Sequence, residues 1–231
     1  SPFALSATLT RPNGNGPFAA AVLVHGSGPN DRNGSIGANK PLKDLAEGLS
    51  SRGIIVIRYD KRTFQHGHQL KNNLSIDDEV IDDAVSAVKH LKDRSDVDPQ
   101  RIFIIGHSLG ALLAPEIAHK SAPVAGAVLL APPGRAPWDV IVAQMKYLEA
   151  PADKLALAEA AADQLRTGQY GPDALLGVPA SYWKDWASHD GVTMAKLLKR
   201  PLLIMRGDRD YQVTDDDIAN WRSGLQSVSN V

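Results

Sequence analysis

Short apolar runs alternate with amphipathic helical patterns between residues 18 and 131, and this alternation is the strongest constraint on the fold. Segments this rich in Val, Ile and Leu suit strands that are buried on both faces of a parallel sheet. The predicted strands are residues 18–24, 53–59, 101–106, 124–130 and 201–206, and the helices between them are residues 41–52, 76–91 and 111–119. This order predicts an α/β fold with a doubly wound, mostly parallel sheet, whose ligand site lies at the carboxyl ends of the strands.

The alternation stops after residue 134, where three helical patterns follow without an intervening strand. They are predicted at residues 138–149, 152–167 and 182–198. A helical insertion flanked by Pro and Gly is typical of a cap or lid over the strand ends. We therefore expect an α/β core formed by residues 1–133 and 200–231, and a small helical cap formed by residues 134–199, inserted before the last predicted strand.

The composition of the chain limits the kinds of partner that it can bind. A chain of 231 residues with 43% hydrophobic residues can bury one sizeable core. Its 25 basic and 26 acidic residues are dispersed, so we expect no nucleic-acid partner and no membrane association. The absence of cysteine excludes disulfides and thiolate metal sites, but it leaves the compartment undecided between cytoplasm and export. The expected partner of a soluble chain of this kind is a small molecule, and its oligomeric state stays open.

The sequence Gly-His-Ser-Leu-Gly at residues 106–110 joins a predicted strand directly to a predicted helix. A turn this tight strains the backbone of its central residue, and small residues beside it let the neighbouring chain pass. Ser108 is therefore the candidate nucleophile, and the backbone N–H of Leu109 can donate to an oxyanion at the helix N-terminus. His107 is expected to line the substrate site. The alternative, a chance match in a loop, does not account for the strand and helix on either side.

The loop after strand 18–24 supplies the other side of this predicted site. We assign the second oxyanion donor to the backbone of Ser27, with Gly28 as the next candidate, and expect Gly26 to give the turn its freedom. Gly26 and Gly28 are thus expected to contact substrate. His25 is expected to brace the loop by hydrogen bonding. Ser27 lies in no strand-to-helix turn and is rejected as a nucleophile.

Two acidic residues, Asp208 and Asp210, follow the last predicted strand. An acid at the carboxyl end of a strand can hold a catalytic histidine in the tautomer that faces the serine. The alternative is that both carboxylates only solvate a turn. The position of the strand alone leaves the choice between them open.

Three motifs in this order and spacing identify a resemblance: His-Gly-Ser-Gly-Pro-Asn-Asp-Arg at residues 25–32, Ile-Arg-Tyr-Asp-Lys-Arg at residues 57–62 and the motif at residues 106–110. They resemble the serine esterases of the α/β-hydrolase superfamily, in particular bacterial carboxylesterases of the esterase D type. The resemblance covers roughly residues 5–231. It implies the α/β-hydrolase fold and cleavage of carboxylic esters, a reaction that needs no cofactor.

The same resemblance selects one acid. In these relatives the acid fills the fourth position of Gly-x-x-Asp-x-x-Val, a pattern that Gly207, Asp210 and Val213 match, so it implies Asp210. It also implies that Asp60 and Arg62 lie in a loop beside the site as structural partners rather than as catalysts.

The catalytic histidine is the part of the pattern that is missing. In this fold it follows the acid in the chain, yet the sequence has no histidine after Asp210. We expect it to lie beyond Val231, and His189 in the predicted cap is the best internal alternative, since a cap can fold over the serine. His66 and His68 suggest a metal pair, but no carboxylate cluster lies near them in the sequence, so we expect no metal.

The expected function is therefore that of a serine carboxylesterase acting on small esters through an acyl-enzyme on Ser108. A thioesterase or acyltransferase would use the same nucleophile with a site for a bulky carrier. A catalytically inactive binding protein is the alternative from another class, motivated by the missing histidine.

Overall fold

The computed structural model describes residues 3–70, 74–121, 123–169 and 173–228. Its strands are β1 (Ala7–Thr10), β2 (Phe18–Val24), β3 (Ile54–Tyr59), β4 (Val97–His107), β5 (Gly126–Leu130), β6 (Asp173–Leu175), β7 (Val178–Pro179) and β8 (Leu202–Met205). Six of them form one sheet in the order β1-β3-β2-β4-β5-β8. Only β1 runs antiparallel to its neighbour within this sheet. The predicted doubly wound, mostly parallel sheet is confirmed.

The helices are α1 (Pro41–Ser50), α2 (Arg62–Gln65), α3 (Asp82–Lys92), α4 (Leu109–Lys120), α5 (Pro137–Tyr147), α6 (Ala152–Thr167), α7 (Ala180–Ser188), α8 (Gly191–Leu198) and α9 (Asp215–Gly224). A π-helical turn, Asp77–Ile81, leads into α3, and a 3₁₀ turn, Gly67–Gln69, follows α2. In the described part of the chain no helix combines the length and the apolar character needed to cross a bilayer.

The apolar runs are explained by helices on both sides of the sheet. On one side Leu23 of β2 and Val56 of β3 pack against Leu42 and Ala46 of α1. The neighbouring positions on these strands face the opposite way and join the larger core cluster with α3 and α4. Because side chains alternate between the two faces of a strand, a strand covered on both faces is apolar throughout.

The insertion between β5 and β8 differs from the prediction in two places. The expected absence of a strand is wrong, because β6 and β7 form a short antiparallel hairpin. Its two-residue turn, Leu176 and Gly177, has positive φ angles of 54° and 71°, as tight hairpins require. The single predicted helix 182–198 is two helices, because the Asp190 side chain accepts a hydrogen bond from the Thr193 N–H at 3.0 Å and starts α8 there.

The division into core and cap stays a prediction. Helix α8, which the prediction placed in the cap, packs on α4 of the core, and a side chain at Gly191 would overlap the Leu112 carbonyl. The last predicted cap residues thus contact the helix that follows Ser108.

A buried carboxylate joins the start of the insertion to α9. Asp217 is fully buried and accepts hydrogen bonds from the backbone N–H groups of Gly134 (2.8 Å) and Thr214 (2.8 Å) and from the Arg135 guanidinium (2.8 Å). Burial alone would raise the pKa of Asp217, but the bonds from Arg135, Gly134 and Thr214 outweigh it and hold the pKa below its ordinary value. The carboxylate therefore stabilises the fold in its charged form.

Replacing Asp217 by asparagine should lower the free energy of unfolding at pH 7 by about 2–3 kcal/mol, because hydrogen bonds to a charged group are lost. Since the pKa of Asp217 is lowered on folding, its contribution is complete above the unfolded value of about 4 and is lost as the pH falls through the folded pKa. Urea unfolding from pH 7 to pH 2.5 should show the wild type and the variant converging in acid. Asp216→Asn, at an exposed position of α9, should cost less than about 1 kcal/mol, and a pH-independent gap would contradict the assignment.

Candidate active site

The turn at Ser108 has the strained geometry that the sequence predicts. Strand β4 ends at the preceding residue, helix α4 begins at the next, and Ser108 lies between them at φ 52° and ψ −116°. A side chain at Gly106 would overlap the Gly110 carbonyl, which explains the small residues on both sides. A positive φ in a serine costs of order 1–3 kcal/mol and persists only where the surroundings enforce it. The Ser108 N–H donates to the Leu130 carbonyl at 2.9 Å, which ties the turn to β5.

The loop after β2 lies directly against this serine. A side chain built on Gly26 would approach the Ser108 Cβ and the His107 Nδ1 to 3.3 Å each, so a larger residue here would push its neighbours by a few tenths of an ångström. The structure therefore brings together two segments that the sequence placed at separate strand ends, and Ser27, Gly28 and His107 lie at or beside their junction.

The amide of Asn30 fixes the orientation of the peptide groups in this loop. Its Nδ2 donates to the carbonyl oxygens of Gly26 (3.3 Å), Ser27 (2.9 Å) and Gly28 (3.0 Å). The N–H of a trans peptide points away from its carbonyl, so the N–H groups of Ser27 and Gly28 are turned to the side opposite Asn30. This orientation is consistent with the assignment of Ser27 as donor and Gly28 as the next candidate. The role of Asn30 has no counterpart in the sequence interpretation.

The two assigned oxyanion donors have no competing acceptor among the described residues. Neither the N–H of Ser27 nor that of Leu109 donates to another group within that part of the chain. For Leu109 the reason is its place at the first position of α4, where an N–H has no intrahelical partner. Ser27 and Leu109 thus stay the predicted donors, and the positive end of α4 favours negative charge at the same point.

His25 is positioned to brace the loop. It is buried, with 2% of its surface exposed, and its ring lies edge-on to Tyr59 at 5.2 Å between centroids. Burial, together with the charge of Lys61, lowers the pKa of His25 to about 4, so the ring is neutral at pH 7. Its Nε2 atom is buried without a hydrogen-bond partner among the described residues. The neutral ring packs beside the loop, and its predicted role in bracing the loop by hydrogen bonding stays a prediction.

The structure separates the two candidate acids. Asp208 is exposed, whereas the partly buried Asp210 accepts hydrogen bonds at Oδ1 from the N–H groups of Gln212 (2.9 Å) and Val213 (3.1 Å). Gln212 lines a cavity together with Ser108, and Val213 lines a smaller recess that also contacts Ser108. Asp210 is thus held by backbone groups on the serine side of the loop, and it stays the predicted acid.

None of the internal histidines that the sequence singled out is presented to Ser108 as a base. The Nδ1 atom of His189 lies 2.7 Å from Glu116 Oε2. His189 lines a cavity of about 430 Å³, and Ser108 is not among the residues that line this cavity. His66 contacts the Ala4 carbonyl at 2.9 Å, and His68 contacts the Gln69 amide at 3.0 Å. In the described part of the chain, no group of three or more potential ligands could hold a metal ion.

One cavity is lined by Ser108, and a second meets it at the loop after β2. The first, the nucleophile cavity, encloses about 300 Å³ and is lined by Ser108, His107, Gly26 and Ser27 among others. The second, the cap cavity, encloses about 360 Å³ and is walled by Tyr182, Trp183 and Trp186. Ser27 lines both cavities, so the two meet at the loop that carries the predicted donor.

A buried ionic network beneath the loop has no counterpart in the sequence interpretation. Lys61 (1% exposed) forms an ion pair with Glu79 (3% exposed) at 2.6 Å, and the Tyr182 hydroxyl donates to the other Glu79 oxygen at 2.7 Å. Glu79 lies in the π-helical turn before α3, where its side chain is buried. The sequence does contain a sign of this network, because three charged residues, Asp60, Lys61 and Arg62, directly follow an apolar strand, and all three are buried in the structure.

Asp60 and Arg62 have the structural roles that the resemblance implies. Asp60 binds the Arg32 guanidinium through both carboxylate oxygens, at 3.0 and 2.8 Å, and so ties the loop after β2 to the end of β3. Arg62 binds Asp83 in a buried two-point contact at 3.0 and 2.7 Å. The first pair fixes the loop after β2, and the second joins α2 to α3.

Known proteins similar to this chain include several esterases. Esterase EstD of Thermotoga maritima is 46% identical over 234 residues, which cover 98% of this chain and 55% of that protein, so the chain spans about half the length of this curated relative. An esterase from Pyrococcus furiosus superposes with a TM-score of 0.64 at 18% identity, covering 100% of this chain and 80% of its own. Est1E from Butyrivibrio proteoclasticus gives a TM-score of 0.63 at 16% identity, covering 95% and 80%.

These two solved structures support the fold alone, because their sequences are distant. The sequence model of the alpha/beta hydrolase family matches residues 21–227, which is most of the chain. The matched region contains the strand-to-helix turn at Ser108, the loop after β2 and the acid-bearing loop after β8. The chain therefore belongs to the alpha/beta hydrolase family.

Proposed function

We propose that the chain carries the nucleophile, the acid and the oxyanion hole of a serine carboxylesterase. The observation that carries this proposal is the strained backbone of Ser108, at φ 52° and ψ −116°, in contact distance of the Gly26 loop. Strain held at a serine between a strand and a helix is typical of an activated nucleophile. The 46% identity to an esterase supports ester substrates.

In the proposed reaction the Ser108 oxygen attacks the acyl carbon of a small ester. A base takes the proton of the serine, and the N–H groups of Ser27 and Leu109 hold the oxygen that becomes negative. The alcohol leaves with a proton returned by the base. Water then attacks the acyl-enzyme by the same route and releases the carboxylic acid.

The base is the component that the proposal takes from outside the described residues. His25 is buried with a pKa of about 4, and His189 is bound to Glu116. We therefore propose that a histidine outside the described residues lies against Asp210 and serves as the base. Two backbone N–H groups bind the Oδ1 atom of Asp210 and so fix the orientation of the carboxylate. Its Oδ2 atom can then accept a hydrogen bond from the N–H of a histidine ring.

The test is hydrolysis of p-nitrophenyl acetate, butyrate and octanoate by two proteins in parallel. One is the 231-residue chain, and the other carries any residues that follow Val231 in the natural protein. We expect ester hydrolysis by the longer protein, with a fluorophosphonate adduct found by mass spectrometry on the peptide containing Ser108. We expect the 231-residue chain to be about 100-fold to 10,000-fold slower, because general base catalysis contributes about 10²–10⁴-fold.

The other outcomes distinguish the alternatives. Equal activity in both proteins would place the base within the present sequence, with His189 as the next candidate. Faster cleavage of an acyl thioester than of the matching oxygen ester would favour a thioesterase. Absence of both hydrolysis and labelling in the longer protein would overturn the proposal in favour of a binding protein.

A further inference from the structure

Lys61 is a buried charged residue that directly contacts the oxyanion loop. Its Nζ atom donates to the Gly26 carbonyl at 3.0 Å and forms the ion pair with Glu79 at 2.6 Å. Its backbone N–H donates to the Asn30 carbonyl at 3.0 Å. Burying an ammonium and a carboxylate is costly, and two apolar residues of similar volume at these positions would stabilise the fold equally well. Stability therefore does not explain the charge of Lys61, whereas its contact with the Gly26 carbonyl does.

The Gly26 carbonyl and the Ser27 N–H belong to one peptide group. Because that group is planar and trans, the direction of its carbonyl determines the direction of its N–H. An ammonium bound to the Gly26 oxygen therefore aims the Ser27 N–H to the opposite side, away from Lys61. The Asn30 amide contacts the same oxygen at the longer distance of 3.3 Å, so Lys61 provides the shorter contact.

The partners of Lys61 keep it at this oxygen. Glu79 holds Nζ from the side of the π-helical turn, and the Tyr182 hydroxyl holds Glu79 from the cap at 2.7 Å. Burial lowers the pKa of the Lys61 ammonium, and the charge of Glu79 opposes that effect. A hydrogen bond from a charged donor is roughly twice as strong as a neutral one, and it also polarises the peptide group toward a better N–H donor.

We propose that Lys61 is a positioning residue of the oxyanion hole, which binds the Gly26 carbonyl and thereby aims the Ser27 N–H at the oxygen that becomes negative. The inference rests on the proposed esterase function. Lys61 does not contact substrate, since its side chain lies beneath the loop, and its effect reaches the reaction through one peptide group. Glu79 and Tyr182 hold it in place and connect that peptide to the cap.

The test is the double variant Lys61→Met with Glu79→Gln. It removes both charges with little change of volume, so no unpaired charge is left buried. Loss of one oxyanion donor costs about 10²–10³ in kcat, and a donor that is only misaligned should lose less. We expect kcat for p-nitrophenyl butyrate to fall by about 10-fold to 100-fold, with KM changed by less than about threefold.

A second readout separates positioning from a general structural effect. A trifluoromethyl ketone forms a tetrahedral adduct whose oxygen occupies the oxyanion hole, so its inhibition constant should rise in proportion to the loss of kcat. Glu79→Gln alone, which retains the Lys61 contact with Gly26, should lose less kcat than the double variant. Lys92→Met is the matched control, because Lys92 also donates to a backbone carbonyl, that of Ser121, away from the site.

Folding and function can be told apart in this experiment. Circular dichroism at the assay temperature checks that each variant is folded. If the double variant does not fold, Lys61→Gln with Glu79→Gln replaces it, because two amides leave no charge buried without a partner. A loss of kcat is again expected, since the ammonium at the Gly26 carbonyl is removed.

A folded double variant that keeps both kcat and inhibitor affinity within about twofold of the wild type would overturn the inference. A change in KM alone would also overturn it, since uniform substrate binding would then be affected. If the wild type itself neither hydrolyses esters nor labels at Ser108, the proposed function fails instead. The two failures are therefore distinct.

Discussion

Replacing Ser108 by alanine in the longer protein should lower kcat for p-nitrophenyl butyrate by about 10⁵–10⁶-fold, since the covalent route is lost with the nucleophile. KM should change little, because the cavity walls and the N–H groups of Ser27 and Leu109 belong to other residues or to the backbone. Alanine removes only the hydroxyl, but it must still adopt φ 52°. A change in the melting temperature of a few degrees is therefore compatible with the expected result. Initial rates and fluorophosphonate labelling provide the measurement.

Ser27→Ala is the matched control, because Ser27 is the other serine of the nucleophile cavity. Its proposed role uses the backbone N–H, which alanine retains, so kcat should stay within about tenfold of the wild type. Loss of labelling in Ser27→Ala together with retained labelling in Ser108→Ala would contradict the assignment of the nucleophile.

Much of the fold is predictable because its signals are local. The apolar runs of β2, β3, β4, β5 and β8 are each within a few residues of the predicted bounds, since strands covered by helices on both faces leave a continuous apolar pattern. The hairpin of β6 and β7 was not predictable in this way. Its strands are only three and two residues long, too short for any periodicity to appear.

The same distinction applies to the site. Ser108 is found from its motif because a strand, a tight turn and a helix are contiguous there, and the loop at Ser27 is found because it directly follows a strand. The network of Lys61, Glu79 and Tyr182 joins three separate elements, and Tyr182 is 103 residues from Glu79. Such contacts depend on how the cap lies over the core. Residue type alone favours surface positions for Lys61 and Glu79, since Lys and Glu are almost never fully buried unless paired.

Replacing Asp210 by asparagine should lower kcat by about 10⁴-fold with the longer protein, the second largest effect that we expect. An amide is nearly the same size as a carboxylate and can still accept the N–H bonds of Gln212 and Val213 at its oxygen. Its NH₂ group would then face the histidine, where it favours the wrong tautomer and cannot stabilise the imidazolium. Activity should fall while the fold and Ser108 remain in place.

Asp208→Asn is the matched control for this variant, since it makes the same chemical change two residues away at an exposed position. It should keep kcat within about twofold. A large loss in Asp208→Asn with retained activity in Asp210→Asn would reverse the assignment and show that the two N–H groups bound to Asp210 only shape the loop. If both variants kept full activity in a protein that Ser108→Ala inactivates, the base would work without either carboxylate. The proposed role of Asp210 in orienting the histidine would then be wrong, while the assignments of the nucleophile and the oxyanion hole would stand.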